Sequence, residues 1–449
     1  MNKEKKFSSR LGFILTAVGS AVGMANVWGF PYKFQEGGIF FLLFYLVFVA
    51  LFAYVGLSSE FAIGRRAETG TLGSYEYALN SKNNKKEHSF ISKNIGFLPL
   101  LGSLFIAIGY AVIVSYVLKA LVNSLTGELL VVNSKKWFES FSNKDYSVVI
   151  YHFIIILVTL LTCLKGANTI EKSNKIMMPA FFILFLIIAI FILTLPNALE
   201  GYKYMFRLDF DKLSLKTIEN AMGQAFFSLS VTGSGMIVCG SYLDKNEDIL
   251  SAAKSTAFFD TLAALLSSCV IVPSILVFGL SQAGGPGLLF EVLPTILQNI
   301  KGGRIFAIIL YTAVVFAGIS SLQNMFEVIA ESLMHRYNKI KRITALTIIG
   351  LVTFLIGVNM EAISKWGPWM DLVSIYIIPI GASIGAISWF YFWKKDEILE
   401  EVNSGAKKKA GEGWHKLGKY VYVPIAIVLS ILALVFKVIF KIYGEENGK

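Results

Sequence analysis

Four groups of residues in this chain are placed where they could do chemistry rather than only pack. Two are short runs of small and polar residues. They are Gly19-Ser20-Ala21-Val22-Gly23-Met24-Ala25-Asn26 and Ser228-Leu229-Ser230-Val231-Thr232-Gly233-Ser234-Gly235. The other two are lone carboxylates, Glu60 and Asp260, each among apolar neighbours. An interrupted helix frees carbonyls that can bind a cation, and the half-helix after the break turns N–H groups and a positive dipole end toward an anion. A carboxylate in an apolar stretch is costly and reads as functional, with a cationic partner. Together these groups suit a zwitterion bound beside a small cation such as sodium. Cys163, Cys239 and Cys269 show no CxxC or His-linked spacing, and the four His are scattered. Neither a zinc site nor a Cys/His nucleophile is supported, and the thiols are expected to be buried and structural.

The elements that must hold these groups are membrane helices. The chain of 449 residues is 55% hydrophobic, carries 36 Phe and is only 16% charged, where a soluble domain is nearer a quarter. Its apolar runs approach the roughly 20 residues a helix needs to cross the hydrocarbon core. About eleven spans are expected, at 11–34, 39–63, 96–123, 147–165, 174–195, 217–242, 252–280, 303–334, 342–359, 369–393 and 419–443. The first is too long for a signal-peptide h-region and lacks a cleavage site, so no cleaved leader is expected. Lys and Arg favour one side about two to one, which puts the N-terminus in the cytoplasm and an odd-numbered last span outside. The +11 net charge is thus mostly a topology signal, and a nucleic-acid partner is not expected.

In lipid every backbone N–H and C=O must be satisfied within the protein, so mid-span glycine and serine runs need a reason. Close helix contact is one, since small residues let backbones approach. Here the two runs fall in spans one and six, equivalent positions if spans 1–5 and 6–10 form two repeats. Paired interruptions of that kind mark a midplane binding site. The expected fold is all-α and polytopic, a 5+5 inverted-repeat transporter with helices 1 and 6 broken. Its single domain comprises a first repeat at 11–195, a second at 217–393, and an extra span at 419–443.

At these residues the chain resembles the neurotransmitter:sodium symporter family, in its bacterial amino-acid branch. The matching strings are Arg10-Leu11-Gly12, the run from Gly19 to Tyr32, Glu60 in SEFAIGR, and GQAFFSLS from Gly223. SYLDKNEDI from Ser241, GGPGLLFEVLP from Gly284 and FAGISS from Phe316 follow in family order. The resemblance implies a sodium-coupled importer of an amino acid working by alternating access, not an enzyme, in the cell inner membrane. Sodium ions are the co-transported cofactor, and the partners are the amino acid and the bilayer. It also implies a first sodium site from the Ala21 carbonyl, Asn26, Ser228 and Asp260. A second would use the carbonyls of Gly19, Val22 and Ala317 with the hydroxyls of Ser320 and Ser321. All are hard oxygen donors of the kind a small hard cation prefers. Asp260 stands where chloride-binding relatives have a neutral residue, so chloride-independent transport is expected. Glu60 reads as a structural acceptor for the unwound segments, with proton carriage as the alternative.

The same resemblance implies the substrate pocket. Gly23 replaces the aspartate of monoamine transporters, so the substrate must bring its own carboxylate, and Tyr110 would donate its hydroxyl to it. The amine would meet carbonyls of Ala21, Phe227 and Ser230, beside Ser228. Ser20, Met24, Ile106, Phe227, Gly233, Ser321 and Met325 would surround the side chain. Gly233 in place of a bulkier residue implies ring-sized room, hence a large hydrophobic or aromatic amino acid such as tyrosine or tryptophan. The gates depart from the family pattern. Its outer Arg reads here as Gly29, with Asp371 near the partner position. The inner Arg, Trp and acid read as Glu4, Phe7 and His335, with Lys5 or Lys6 as substitutes. Phe227 over Tyr110 would form an aromatic lid.

Two other classes fit less well. A proton-coupled amino-acid permease on the same scaffold would need no second oxygen-rich cation site, which Ser320 and Ser321 supply. An intramembrane enzyme would need a convergent nucleophile–base set, and a channel a filter motif; neither is visible.

Overall fold

The computed structural model describes residues 6–82, 90–279, 284–432 and 435. Glu4, Lys5 and the far end of the 419–443 span lie outside the described residues. Ser9 begins the first helix: its Oγ accepts the Gly12 N–H at 3.1 Å, and the helix runs Arg10–Ala21. At Val22 the backbone is extended, with φ −72° and ψ 114°. The helix resumes through a wide π-turn, Ala25–Gly29, and continues past Pro31, which sits in the first turn where its missing N–H costs nothing.

Eight helices among the described residues are long and apolar enough to cross a bilayer. The eleven expected spans resolve onto them for three physical reasons. The stretch Ala25–Ala67 holds the second half of span 1 and all of span 2, two helices that meet directly at a kink at Gly38, whose backbone is non-helical (φ 57°, ψ −151°). Span 4, Val149–Cys163, has 15 residues. Span 6 is two pieces, Leu215–Ser228 and Gly235–Ser241, each short alone. The remaining spans are Phe97–Thr126 (span 3), Ala167–Leu193 (span 5), Ile249–Val277 (span 7), Gly303–Arg336 (span 8), Arg342–Gly357 (span 9), Ile363–Phe392 (span 10) and Glu412–Leu432 (span 11). Ser214 and Asp248 cap spans 6 and 7 through the N–H groups of Thr217 and Ser251.

Spans 4, 5 and 9 expose i, i+4 rows of large apolar side chains, Leu157 and Leu161, Ile183 and Ile187, Leu351 and Leu355. These rows face lipid, where exposure of apolar groups costs nothing. The broken helices lie inside that ring. The first half of span 1 packs on spans 5, 7 and 8, and both halves of span 6 pack on spans 1 and 2. On the N-terminal side, buried Arg65 closes span 2 against the helix Lys395–Asn403. Its Nε donates to Glu401 Oε1 at 2.5 Å and its Nη1 to the Glu247 carbonyl at 2.7 Å. Cys163 and Cys239 are buried and Cys269 half-buried, all as free thiols.

Because Arg65 neutralises a carboxylate that has left water, removing it leaves Glu401 only the half-exposed Arg66 at 3.6 Å and strands the carbonyls Arg65 had bonded. Arg65→Ala is expected to cost about 3–5 kcal/mol, read as a lowered thermal unfolding midpoint in detergent. Lysine should not restore it, since one ammonium cannot reach both the carboxylate and the separate carbonyls.

Candidate functional site

The first break is satisfied from within the protein. Asn26 Oδ1 accepts the Gly23 N–H at 3.0 Å, and the Tyr110 hydroxyl accepts the Met24 N–H at 3.0 Å. Two carbonyls left over by the break turn toward span 8. The Ser321 hydroxyl donates to the Val22 oxygen at 2.9 Å and reaches the Gly19 oxygen at 3.3 Å. The Ser320 hydroxyl donates to the Ala317 carbonyl at 2.9 Å. Of the five oxygens expected around a second cation, those of Gly19, Val22 and Ser321 meet where spans 1 and 8 touch, while Ser320 and Ala317 bond to each other within span 8.

The first expected cation site is built on Asp260, which is 0% exposed at the middle of span 7. Asn26 Nδ2 donates to its Oδ1 at 2.7 Å, and the Ser228 hydroxyl lies 2.9 and 2.8 Å from its two oxygens. Tyr45 adds its hydroxyl at 3.2 Å to Oδ2. Each of these groups is a donor aimed at the carboxylate, the environment of an acceptor-only ionised acid. Asn26, Ser228 and Asp260 thus come together as expected, with Ala21 in the adjoining wall. Tyr45 was not foreseen; a tyrosine in an aromatic run of span 2 gives no sign that it points inward.

The second break is tighter. Ser230 takes a left-handed conformation (φ 52°), which is strained for a residue with a Cβ, and its hydroxyl donates to the Ser20 carbonyl at 3.2 Å. That bond ties one break to the other. Beyond it, Glu60 accepts the N–H of Gly233 at 2.7 Å and of Met236 at 3.1 Å, capping the second half of span 6. Glu60 is the structural acceptor anticipated.

A cavity of about 70 Å³ lies between the breaks. Ser20, Ala21, Gly23, Met24, Ile106, Tyr110, Phe227, Ser230, Ser321 and Met325 line it, as expected. Two expected residues do not. Ser228 is turned to Asp260. Gly233 lies behind the wall, with φ 75°; its carbonyl accepts the Tyr75 hydroxyl at 3.0 Å, and a Cβ there would overlap the Gly381 carbonyl. Gly233 is a close backbone crossing, so it makes no ring-sized space. Ser103, Thr232 and Asn324 complete the polar wall. Ser103 precedes Ile106 and Tyr110 at i, i+3, i+7, a spacing that places all three on one helix face. At Gly23 an added Cβ would fall on the Tyr110 hydroxyl and within 2.9 Å of Ser321 Oγ, so only glycine keeps this corner open.

The cavity shares Met24, Ala25, Ile106, Tyr110, Phe227 and Ile378 with a vestibule of about 740 Å³ that opens on the side away from the N-terminus. Phe227 and Tyr110 stand at this boundary, where a lid was expected. Gly29 and Asp371 also line the vestibule, and so does Lys33, whose Nζ donates to Gln224 Oε1 at 3.1 Å. The inner expectations change. His335 packs against Gly73, away from the N-terminal segment. Phe7 lies edge-on to Tyr242, with ring centroids 5.8 Å apart, and Lys6 meets Asp244 at 3.5 Å on the surface.

Three comparisons bear on this geometry. The model of the sodium:neurotransmitter symporter family matches residues 4–147 and 130–445. The chain is 30% identical to an uncharacterized sodium-dependent transporter, YhdH, of Bacillus subtilis, over 96% of this chain and 98% of the relative. It is 28% identical to an uncharacterized sodium-dependent transporter of Haemophilus influenzae, over 97% and 99%. A crystal structure of MhsT in complex with L-phenylalanine superposes with a TM-score of 0.84 at 31% identity, covering 95% of this chain and 99% of that one.

The shared carbonyls of Gly19 and Val22 give a direct test. Ser320→Ala with Ser321→Ala is expected to raise the sodium concentration for half-maximal thermal protection roughly ten-fold, about what one lost hydroxyl partner costs. An unchanged sodium midpoint would return both serines to ordinary back-bonding within the helix.

Proposed function

The chain belongs to the sodium:neurotransmitter symporter family, and from that premise we propose that it imports an aromatic amino acid such as tyrosine together with sodium, the ring reaching across the boundary that the small cavity shares with the vestibule. It is a multi-pass membrane protein and a sodium-dependent symporter. The amino acid is our reading of the site. The observation that carries it is the convergence of Asp260, Asn26 and Ser228 beside a cavity whose open corner is Gly23 under the Tyr110 hydroxyl. A substrate carboxylate in that corner would accept a hydrogen bond from the Tyr110 O–H, since the hydroxyl oxygen already accepts the Met24 N–H. It would also lie beside the first sodium, so cation and substrate each complete the other's site. That mutual completion is the physical basis of coupling: neither charge is left alone in a low-dielectric cavity.

The side-chain end favours an aromatic with a polar edge. Met24 and Met325 are polarizable partners for a ring, and Phe227 can stack or meet it edge-on. Ser103, Thr232 and Asn324 offer hydroxyl and amide partners for a phenol or an indole N–H. MhsT, the structural neighbour, binds L-phenylalanine, which supports an aromatic substrate here.

Asp260 carries its own negative charge next to the cation, so transport proceeds without chloride. The basic bias of the N-terminal side makes that side cytoplasmic in the inner membrane, with the vestibule facing outward. Alternating access then closes Phe227 over the pocket and opens the opposite side.

In proteoliposomes, uptake of labelled tyrosine should require an inward sodium gradient, fail with potassium, and persist when gluconate replaces chloride. Unlabelled phenylalanine should compete less well than tyrosine. Uptake driven equally by a proton gradient without sodium would favour the proton-coupled permease instead, and competition only by small aliphatic amino acids would overturn the aromatic assignment.

A further inference from the structure

The side opposite the vestibule must stay shut while the vestibule is open, yet among the described residues Lys6, Phe7 and His335 form no buried ion pair that closes it. The closure instead converges on one carboxylate. Glu171, near the start of span 5, is 2% exposed. Its Oε2 accepts the Ser8 backbone N–H at 2.6 Å, and its Oε1 accepts the Ser8 hydroxyl at 2.6 Å and the Ser9 hydroxyl at 3.1 Å. Lys175, one turn on, balances the charge at 2.6 Å from Oε1. Gly12 lets the carboxylate lie against the helix it holds, since a Cβ there would overlap it.

We propose that Glu171 is the positioning residue that locks the N-terminal half of span 1 and so keeps the inner side closed; this rests on the transporter reading above. The other ties of that segment are weaker in kind. Lys6–Asp244 and Arg10–Glu247 are pairs at the surface, at 3.5 and 3.9 Å. Such pairs contribute little in water. Arg10 Nη2 also donates to Ser251 Oγ at 2.6 Å in an exposed position, and the Phe7 N–H makes a neutral bond to the Tyr242 carbonyl at 3.2 Å. Buried hydrogen bonds to an ionised acceptor are about twice as strong as neutral ones.

The lock also reaches the cation site. Asn174, on the next turn of span 5, lies against Gly19, where an added Cβ would be 3.1 Å from its Cγ. The Asn174 amide is held by Gln323 Oε1 at 3.0 Å and the Ile170 carbonyl at 2.9 Å. One rigid helix therefore grips span 1 at Ser8–Ser9 and abuts it at Gly19, whose carbonyl belongs to the second sodium site. Movement of the N-terminal half away from Glu171 withdraws the Gly19 and Val22 carbonyls from Ser321. Sodium, by holding those carbonyls, holds the lock.

The test uses the full chain in nanodiscs, with no amino acid present, and reads amide hydrogen exchange peptide by peptide. In Glu171→Gln, and separately in Ser8→Ala, which leaves the Ser9 cap intact, the peptide covering 7–21 should exchange roughly ten-fold faster, the factor for losing a charge-assisted hydrogen bond. Peptides of spans 3 and 7 should be unchanged. The sodium concentration that protects 7–21 should rise in step, because the sodium-competent closed state is less populated. Exchange at 7–21 equal to wild type in the serine variant would overturn the lock, whatever the Gln variant does. Faster exchange spread evenly over spans 3 and 7 would also overturn it, as general destabilisation. If sodium fails to protect even the wild type, the symport reading falls, while the comparison among variants still judges the lock.

Discussion

A carboxylate at the depth of the hydrocarbon core has lost its hydration, and several kcal/mol must be recovered from whatever surrounds it. Asp260 is in that position, and the recovery explains the architecture around it. Its donors arrive from three other spans: Asn26 from span 1, Tyr45 from span 2 and Ser228 from span 6. Asn26 reaches it because the helix reopens as a π-turn at Ala25, and Ser228 because the first half of span 6 ends there. Hydrogen bonds spread the charge without cancelling it. A sodium ion bound there, as proposed above, would balance that charge and leave a coordination position that a substrate carboxylate can fill.

The breaks obey the same rule applied to the backbone. Each exposes N–H and C=O groups that lipid cannot satisfy. At the first, Tyr110 and Asn26 take the N–H groups and Ser321 the carbonyls. At the second, Glu60 takes the N–H groups of Gly233 and Met236. Partners lent by spans 2, 3 and 8 are what a bound cation or substrate can borrow, which lets ligands bias the arrangement of the helices. The strained Ser230 and its bond to Ser20 link the breaks, so neither half-helix moves without the other feeling it.

Much of this is legible in the sequence, since in a membrane any mid-span polar run must have a purpose. The two interrupted helices and Asp260 stand where their residue types pointed; Asn26 with Ser228, and Gly19 and Val22 with Ser321, come together in the groupings the family resemblance implied. Gly233 was misread because a glycine that makes room and a glycine that lets two backbones cross look identical in sequence; only its positive φ and the Gly381 carbonyl separate them. Tyr45 hid in an apolar helix, where period says nothing once all faces are buried or lipid-facing. The inner closure hid for another reason. Ser8, Ser9 and Glu171 are ordinary surface residues by type, and the more than 160 positions between them in the chain carry no local signal. Span count was legible by hydropathy, though not that spans 1 and 2 would meet at a kink as tight as the one at Gly38.

The central claim is that Asp260 itself provides the negative charge beside the first sodium. Asp260→Asn keeps an oxygen donor and nearly the same volume while removing that charge. Sodium binding, measured as sodium-dependent protection against thermal unfolding in the purified protein, separates the possibilities with chloride or gluconate as the anion. The account predicts chloride-indifferent protection in the wild type and a markedly higher sodium midpoint in the variant. A wild type that needs chloride, or an asparagine variant with unaltered sodium affinity, would contradict it.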